Sequence, residues 1–271
     1  MINTLYLPEL REMLSETNVV ELQEFCEALH PARTAEFMEG LSADETWQVL
    51  LYAEAFTRAE IFRYLEDEKQ VEIISDQDRQ QIAELLAELA PDDRVDILPS
   101  IEQGIVDDLL PRLPADERRD ILRLSQFPEG TAGAVMTTEV AKLKETLTVK
   151  EALEEIGHIA EGLETIYYIY VVDGDDHLRG LVSARQLVTG MKNPSMQLVD
   201  MMETELVTAD LMEDQEAVAN KVAKLDLLAI PVVDDEHRMV GIITHDDVID
   251  VMREEATEDA HRIAAVDPLD D

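Results

Sequence analysis

The sequence predicts a multi-domain protein, an all-α helical-repeat half followed by a doubled α/β (α+β) half. Three observations predict it: apolar residues recur at helical spacing up to about residue 127, a Pro- and Gly-containing stretch then interrupts them, and beyond it one helix–strand–turn–strand phrase occurs twice. A chain of 271 residues, 46% of them hydrophobic, is long enough to bury two or three cores.

From Thr4 to about Phe127 the apolar spacing is that of amphipathic helices, as in Ile82, Leu85, Leu86 and Leu89. A short phrase returns within this half: His30-Pro31 ahead of Arg33 and Glu36-Phe37, Pro91 ahead of Arg94 and Asp96-Ile97-Leu98, Pro114 ahead of Arg118 and Asp120-Ile121-Leu122, with a weaker copy at Arg58-Ala59-Glu60-Ile61. Proline opens a helix where its missing N–H is harmless, and first-turn carboxylates favour the positive dipole end. Recurrence at roughly two dozen residues predicts stacked helical hairpins.

Pro128-Glu129-Gly130-Thr131-Ala132-Gly133 reads as the linker. After it, Val149 to Ile159 reads as a helix, Ile166 to Val172 as a buried strand, Asp173 to His177 as a turn and Leu178 to Ser183 as the returning strand. Gln215 to Leu225, Leu228 to Val233, Asp234 to His237 and Met239 to Thr244 repeat that order, and a helix follows from Asp246. The copies align across Val171-Val172-Asp173 with Gly180 and Val232-Val233-Asp234 with Gly241.

Charge restricts partners. With 61 Asp+Glu against 22 Lys+Arg, a net charge of −39 repels nucleic acid and anionic membrane surfaces, and it calls for neutralisation by cations or a basic protein. Cys26, the one cysteine, reads as core in a reducing compartment, and no secretory signal is visible. No apolar run approaches the roughly 20 residues of a spanning helix, so the chain reads as soluble. The six histidines lack zinc spacing, and no nucleophile elbow, P-loop or dinucleotide fingerprint occurs, which predicts a protein that is not an enzyme.

The doubled unit, with an apolar strand ending in Val-Val-Asp, a strand carrying Gly and then Ser/Thr-x-x-Asp, resembles the CBS domain; Ala134-Val135-Met136-Thr137 and Leu198-Val199-Asp200-Met201-Met202 look like the segments that lead into each copy. The helical half with such a pair is similar to the cytosolic part of MgtE magnesium channels, on Pro91-Asp92-Asp93-Arg94, Glu164-Thr165-Ile166-Tyr167-Tyr168-Ile169-Tyr170-Val171-Val172-Asp173 and Glu255-Ala256-Thr257-Glu258-Asp259. The resemblance divides the chain into an MgtE-type N domain at 1–130, CBS domains at 131–200 and 201–254, and the start of a connecting helix at 255–271. It implies a homodimer at the cytoplasmic face of the membrane and, if the chain is a fragment, a transmembrane pore domain of the same protein as partner. Either the chain is such a fragment or it is a free-standing relative.

The resemblance further implies Mg2+, with Ca2+ as substitute, bound between the N and CBS domains and favouring a closed pore. Its ligand positions fall here on Glu60, Asp92, Asp96 and the carbonyl of Ala134, then on Glu216, the carbonyl of Ala223, Asp226, Asp247 and Asp250, with Glu255, Glu258 and Asp259 on the last helix. Asp92 and Asp96 are four apart and Asp247 and Asp250 three apart, so each pair is expected on one helix face. Two carboxylates about 4 Å apart repel by roughly 4 kcal/mol at an effective dielectric of about 20, so their surfaces separate without the ion. ATP at the CBS pair is implied through Tyr168 and Arg185, but Gln186 stands where the ribose-binding Asp is expected and Leu227 where an aromatic would stack. The alternatives are a stand-alone adenosine-nucleotide sensor and a soluble acidic adaptor.

Overall fold

The computed structural model describes residues 6–266, and their side chains except at 161, 254 and 257–266. The chain divides into two compact units, Met1–Leu122 and Arg123–Asp271.

Among the described residues the first unit is helical: α1 (Leu7–Glu16), α2 (Val19–Ala28), α3 (Pro31–Met38), α4 (Ala43–Leu50), α5 (Ala55–Phe62), α6 (Asp67–Asp76), α7 (Arg79–Glu88), α8 (Pro91–Ile97), α9 (Gln103–Leu109) and α10 (Ala115–Leu124), which runs on across the division. Local chemistry sets the starts. Pro31 and Pro91 occupy the first helical position, whereas Pro114 stands just ahead of α10. Ser42 and Glu45 form a capping box, and Asn18 and Asp78 accept from first-turn amides. Leu22, Met38, Trp47, Phe62, Ile73, Ile82 and Leu86 meet in one core, each side chain contributing roughly 1.5–3 kcal/mol.

Three arginines, of which Arg58 and Arg94 belong to the recurring phrase and Arg79 does not, have a structural use. Arg58 Nη2 donates to Ala53 O at 3.1 Å, Arg79 Nη1 to Ile74 O at 2.8 Å and Arg94 Nη2 to Leu89 O at 2.5 Å, each five residues back. Gln70 Nε2 does the same to Leu65 O at 2.8 Å. These donors satisfy carbonyls left open where the preceding helix ends, so each turn is stitched by the helix that follows it. Arg33 departs from the pattern and pairs with Glu36.

The second unit contains β1 (Val140–Lys144), α11 (Val149–Ile159), β2 (Thr165–Val172), β3 (Leu178–Ser183) and α12 (Ala184–Gly190), then β4 (Ala209–Asp210), α13 (Gln215–Leu225), β5 (Ala229–Val233), β6 (Met239–Thr244) and α14 (His245–Val266). Two three-stranded sheets form, ordered β1-β2-β3 and β4-β5-β6, each with one parallel and one antiparallel pairing. One face of β1–β3 packs on α11 and α12 through Ala141, Leu143, Ile156, Ile169, Val171 and Leu187; Val140, Tyr170 and Val172 on the other meet Ala229, Val233, Met239 and Ile242 of the second sheet.

The Asp of each Val-Val-Asp holds its hairpin. Asp173 Oδ1 accepts from the amides of Asp175 and His177, and Asp234 Oδ1 from those of Glu236 and Arg238. Burial pushes the Asp173 carboxyl up, but those two amides together with the His177 ring hold it below the usual range. The hairpins then bond to each other, Leu178 N to His237 O and Met239 N to Asp176 O.

The lead-in segments cross between the copies. Each pairs with the opposite copy: Thr137 exchanges both backbone bonds with Ile242 of β6, and Glu203 does so with Leu181 of β3. Glycine permits the approach, because a Cβ at Gly241 would stand 2.5 Å from Thr137 O and one at Gly180 would stand 2.7 Å from Glu203 O. The stretches before them are exchanged too. Gln215 N bonds Gly130 O and Ala132 N bonds Glu213 O, matched by Val149 N to Met196 O and Leu198 N to Leu147 O.

Candidate functional site

Within the first unit, Glu60 lies in α5 and Asp92 and Asp96 in α8. Arg63 draws the two helices together, its Nη1 standing 4.0 Å from Glu60 Oε1 and 3.6 Å from Asp93 Oδ2. This cation and Asp93 were not among the expected site residues; the spacing of three between Glu60 and Arg63 was the available signal. Asp92 and Asp96 share a helix but not an environment, since Asp92 is buried and Asp96 exposed. In a seven-residue helix, a four-residue step does not guarantee equal access when Arg94 and Ile97 turn inward beside it.

In the second unit, Ala134 is half-buried in the turn after Gly133, its N–H bonded to Thr131 O. Glu216 lies in the first turn of α13, Ala223 lies in its last turn and Asp226 caps its end in the left-handed conformation, all three exposed. Carbonyls of a last helical turn have no partner within the helix, so that of Ala223 has the chemistry of a neutral oxygen ligand.

Asp247 is committed locally: its Oδ2 accepts from the Thr244 amide at 3.1 Å and from its hydroxyl at 2.6 Å. Asp250 is exposed and pairs with Arg253 at 3.1 Å. Glu255 is half-buried and accepts from Gln215 Nε2 at 3.1 Å. Glu258 and Asp259 fall within α14, and their side chains lie outside those described. Among the described residues, no three His, Cys, Asp or Glu side chains converge to hold a metal ion.

Tyr168 and Arg185 come to one corner, since Tyr168 is the register partner of Ser183, which caps α12 two residues before Arg185. Gln186 carries out there what Asp247 does in the second copy, its Oε1 accepting from Ser183 N and Oγ, both at 2.7 Å, while Nε2 donates to Glu203. The Gln therefore preserves the capping box. No described helix is long and apolar enough to cross a membrane.

The chain matches the MgtE intracellular N domain over residues 29–130 and the CBS domain over 132–193 and 198–254. It is 43% identical over 147 residues to the magnesium transporter MgtE of Thermus thermophilus and 39% identical over 142 residues to that of Bacillus subtilis. These stretches are 54% and 52% of this chain but only 32% and 31% of the relatives, so the chain spans about a third of the curated proteins it matches. A crystal structure of the soluble part of a magnesium transporter superposes with TM-score 0.85 at 31% identity, covering 92% of this chain and 97% of that one. The cytosolic domain of the Mg2+ channel MgtE in complex with ATP superposes with TM-score 0.82 at 34% identity, covering 89% and 98%.

Proposed function

Since the chain belongs to the MgtE family, as the cytosolic region made of an N domain and a CBS pair, we propose that it senses magnesium and regulates a magnesium channel or transporter. In this reading Mg2+ bridges Glu60, Asp92 and Asp96 of the first unit to Ala134, Glu216, Ala223, Asp226, Asp247 and Asp250 of the second. Glu255, Glu258 and Asp259 hold ions along α14, and loading favours the closed pore. The ligand chemistry supports it: every donor is a carboxylate or carbonyl oxygen, the set that suits Mg2+ or Ca2+ and not zinc. The observation that carries it is the pairing of those oxygens with a net charge of −39, whose self-repulsion bound cations relieve. A homodimer at the cytoplasmic face of the membrane and a transmembrane pore domain as partner complete the reading.

Limited proteolysis tests it. Millimolar Mg2+ is expected to protect the stretch around Gly133 from cleavage, with Ca2+ acting alike. Equal cleavage with and without either ion overturns the clamp.

ATP at Tyr168 and Arg185 is a second reading, favoured by their shared corner and by the ATP held by the solved relative. Against it, both polar ends of Gln186 are engaged with Ser183 and Glu203. Calorimetry decides: saturable ATP heat that Arg185→Ala abolishes supports the site, and none rejects it.

A further inference from the structure

We infer that Gln215 is a positioning residue that ties the direction of α14 to the seating of the segment around Gly130 that leads into the first copy of the repeat. Three parts of the chain meet on this one residue. Its backbone N–H donates to Gly130 O at 2.9 Å, and its side-chain Nε2 donates to Glu255 Oε1 at 3.1 Å, two turns beyond the start of α14's buried anchor at Val248 and Val251. Between them stands the first turn of α13, where Asp214 caps through the Ala217 amide.

The internal repeat supplies the control. At the matching place in the first copy, Val149 N makes the same backbone bond, to Met196 O at 2.9 Å, from the first position of α11. Valine has no polar end to continue the connection, and α12 stops after seven residues. The backbone strap is common to both copies, whereas the side-chain bridge is made in the second copy, whose closing helix runs 22 residues. Gly130 fits the same account. It is the described glycine with positive φ, +76°, a conformation that aims its carbonyl at α13 and that an L side chain strains. A shift of Gly130 moves the start of α13, and through Gln215 it moves Glu255. The connection needs no bound ion.

Amide hydrogen exchange on the full chain reads this directly. Gln215→Leu keeps the backbone bond and removes the bridge, so amides of α14 beyond Val251 are expected to exchange about tenfold faster, the scale of one hydrogen bond to a charged group. Gln215→Lys restores a donor to Glu255 and is expected to return exchange to the parent rate. Gly130→Ala should also speed α14 exchange in the parent chain, and should add nothing in Gln215→Leu. Unchanged α14 exchange in Gln215→Leu, failure of Gln215→Lys to restore it, or full additivity of the two substitutions each overturns the inference.

Discussion

Replacing Arg58 by Met isolates the stitching of one helix to the next. The guanidinium donates to Leu50 O at 2.9 Å and to Ala53 O at 3.1 Å, and it lies 5.9 Å from the centre of the Trp47 ring. Hydrogen bonds with a charged partner contribute about 1.5–3 kcal/mol each, and the ring contact about 0.5–1 kcal/mol. Arg58 is only half-buried, so water replaces part of what is lost, and the net destabilisation should be about 3 kcal/mol. Trp47, the one tryptophan, is 2% exposed and sits in this core, so its fluorescence during urea unfolding reports on the helical unit. With a urea dependence of about 2 kcal/mol/M, the midpoint should fall by about 1.5 M. Arg58→Lys, which keeps the charge but loses the planar fork that reaches both carbonyls, should fall in between. A midpoint within about 0.3 M of the parent for Arg58→Met would refute the claim that these caps hold the helices in register.

Three further substitutions probe the second unit and the core. Gly241→Ala puts a Cβ against Thr137 O and should cost about 2–3 kcal/mol in calorimetric unfolding, while Gly157→Ala, with nothing within 4 Å of its Cβ, should be neutral or stabilising; equal effects refute the close approach. Burial pushes the Cys26 thiol up to about 11, with Glu27 adding to it, so iodoacetamide labelling at pH 8 should be far slower in the folded chain than in urea. The folded value lies above the reference 9.0, so this contribution to stability is intact below pH 9 and is lost as pH rises towards 11. The stability of the parent relative to Cys26→Ala should therefore decline over that window, and a constant difference refutes the shift.

The helical half, the doubled unit and the bounds of α11, β2, β3, α13, β5 and β6 were legible in sequence, because periodicity and capping residues act locally, whereas β1, α12 and β4 were not read from it. Val149–Ile159 and Gln215–Leu225 are helices between a side-chain cap and a break in apolar spacing. What was not legible depends on packing. That Asp92 is buried while Asp96 is exposed follows from which side of α8 faces the core, and the approach of Arg63 to Asp93 joins residues thirty apart. Gln186 reads in sequence as a lost ligand and in the structure as a retained cap, since a carboxamide oxygen accepts as a carboxylate does. The destination of Thr137 and Glu203 was hidden because isolated two-residue bridges leave no periodicity.

The exchange of lead-in segments also constrains how the second unit comes into being. Residue 137 reaches its partner only when residue 242 has been made, more than a hundred positions later, so the first copy leaves the ribosome without a place for its own opening segment. Contacts of such sequence separation slow folding, because loop closure must precede the bonds that reward it. Neither copy is a self-sufficient folding unit, and a chain interrupted between them would expose β3 to whatever edge it met first.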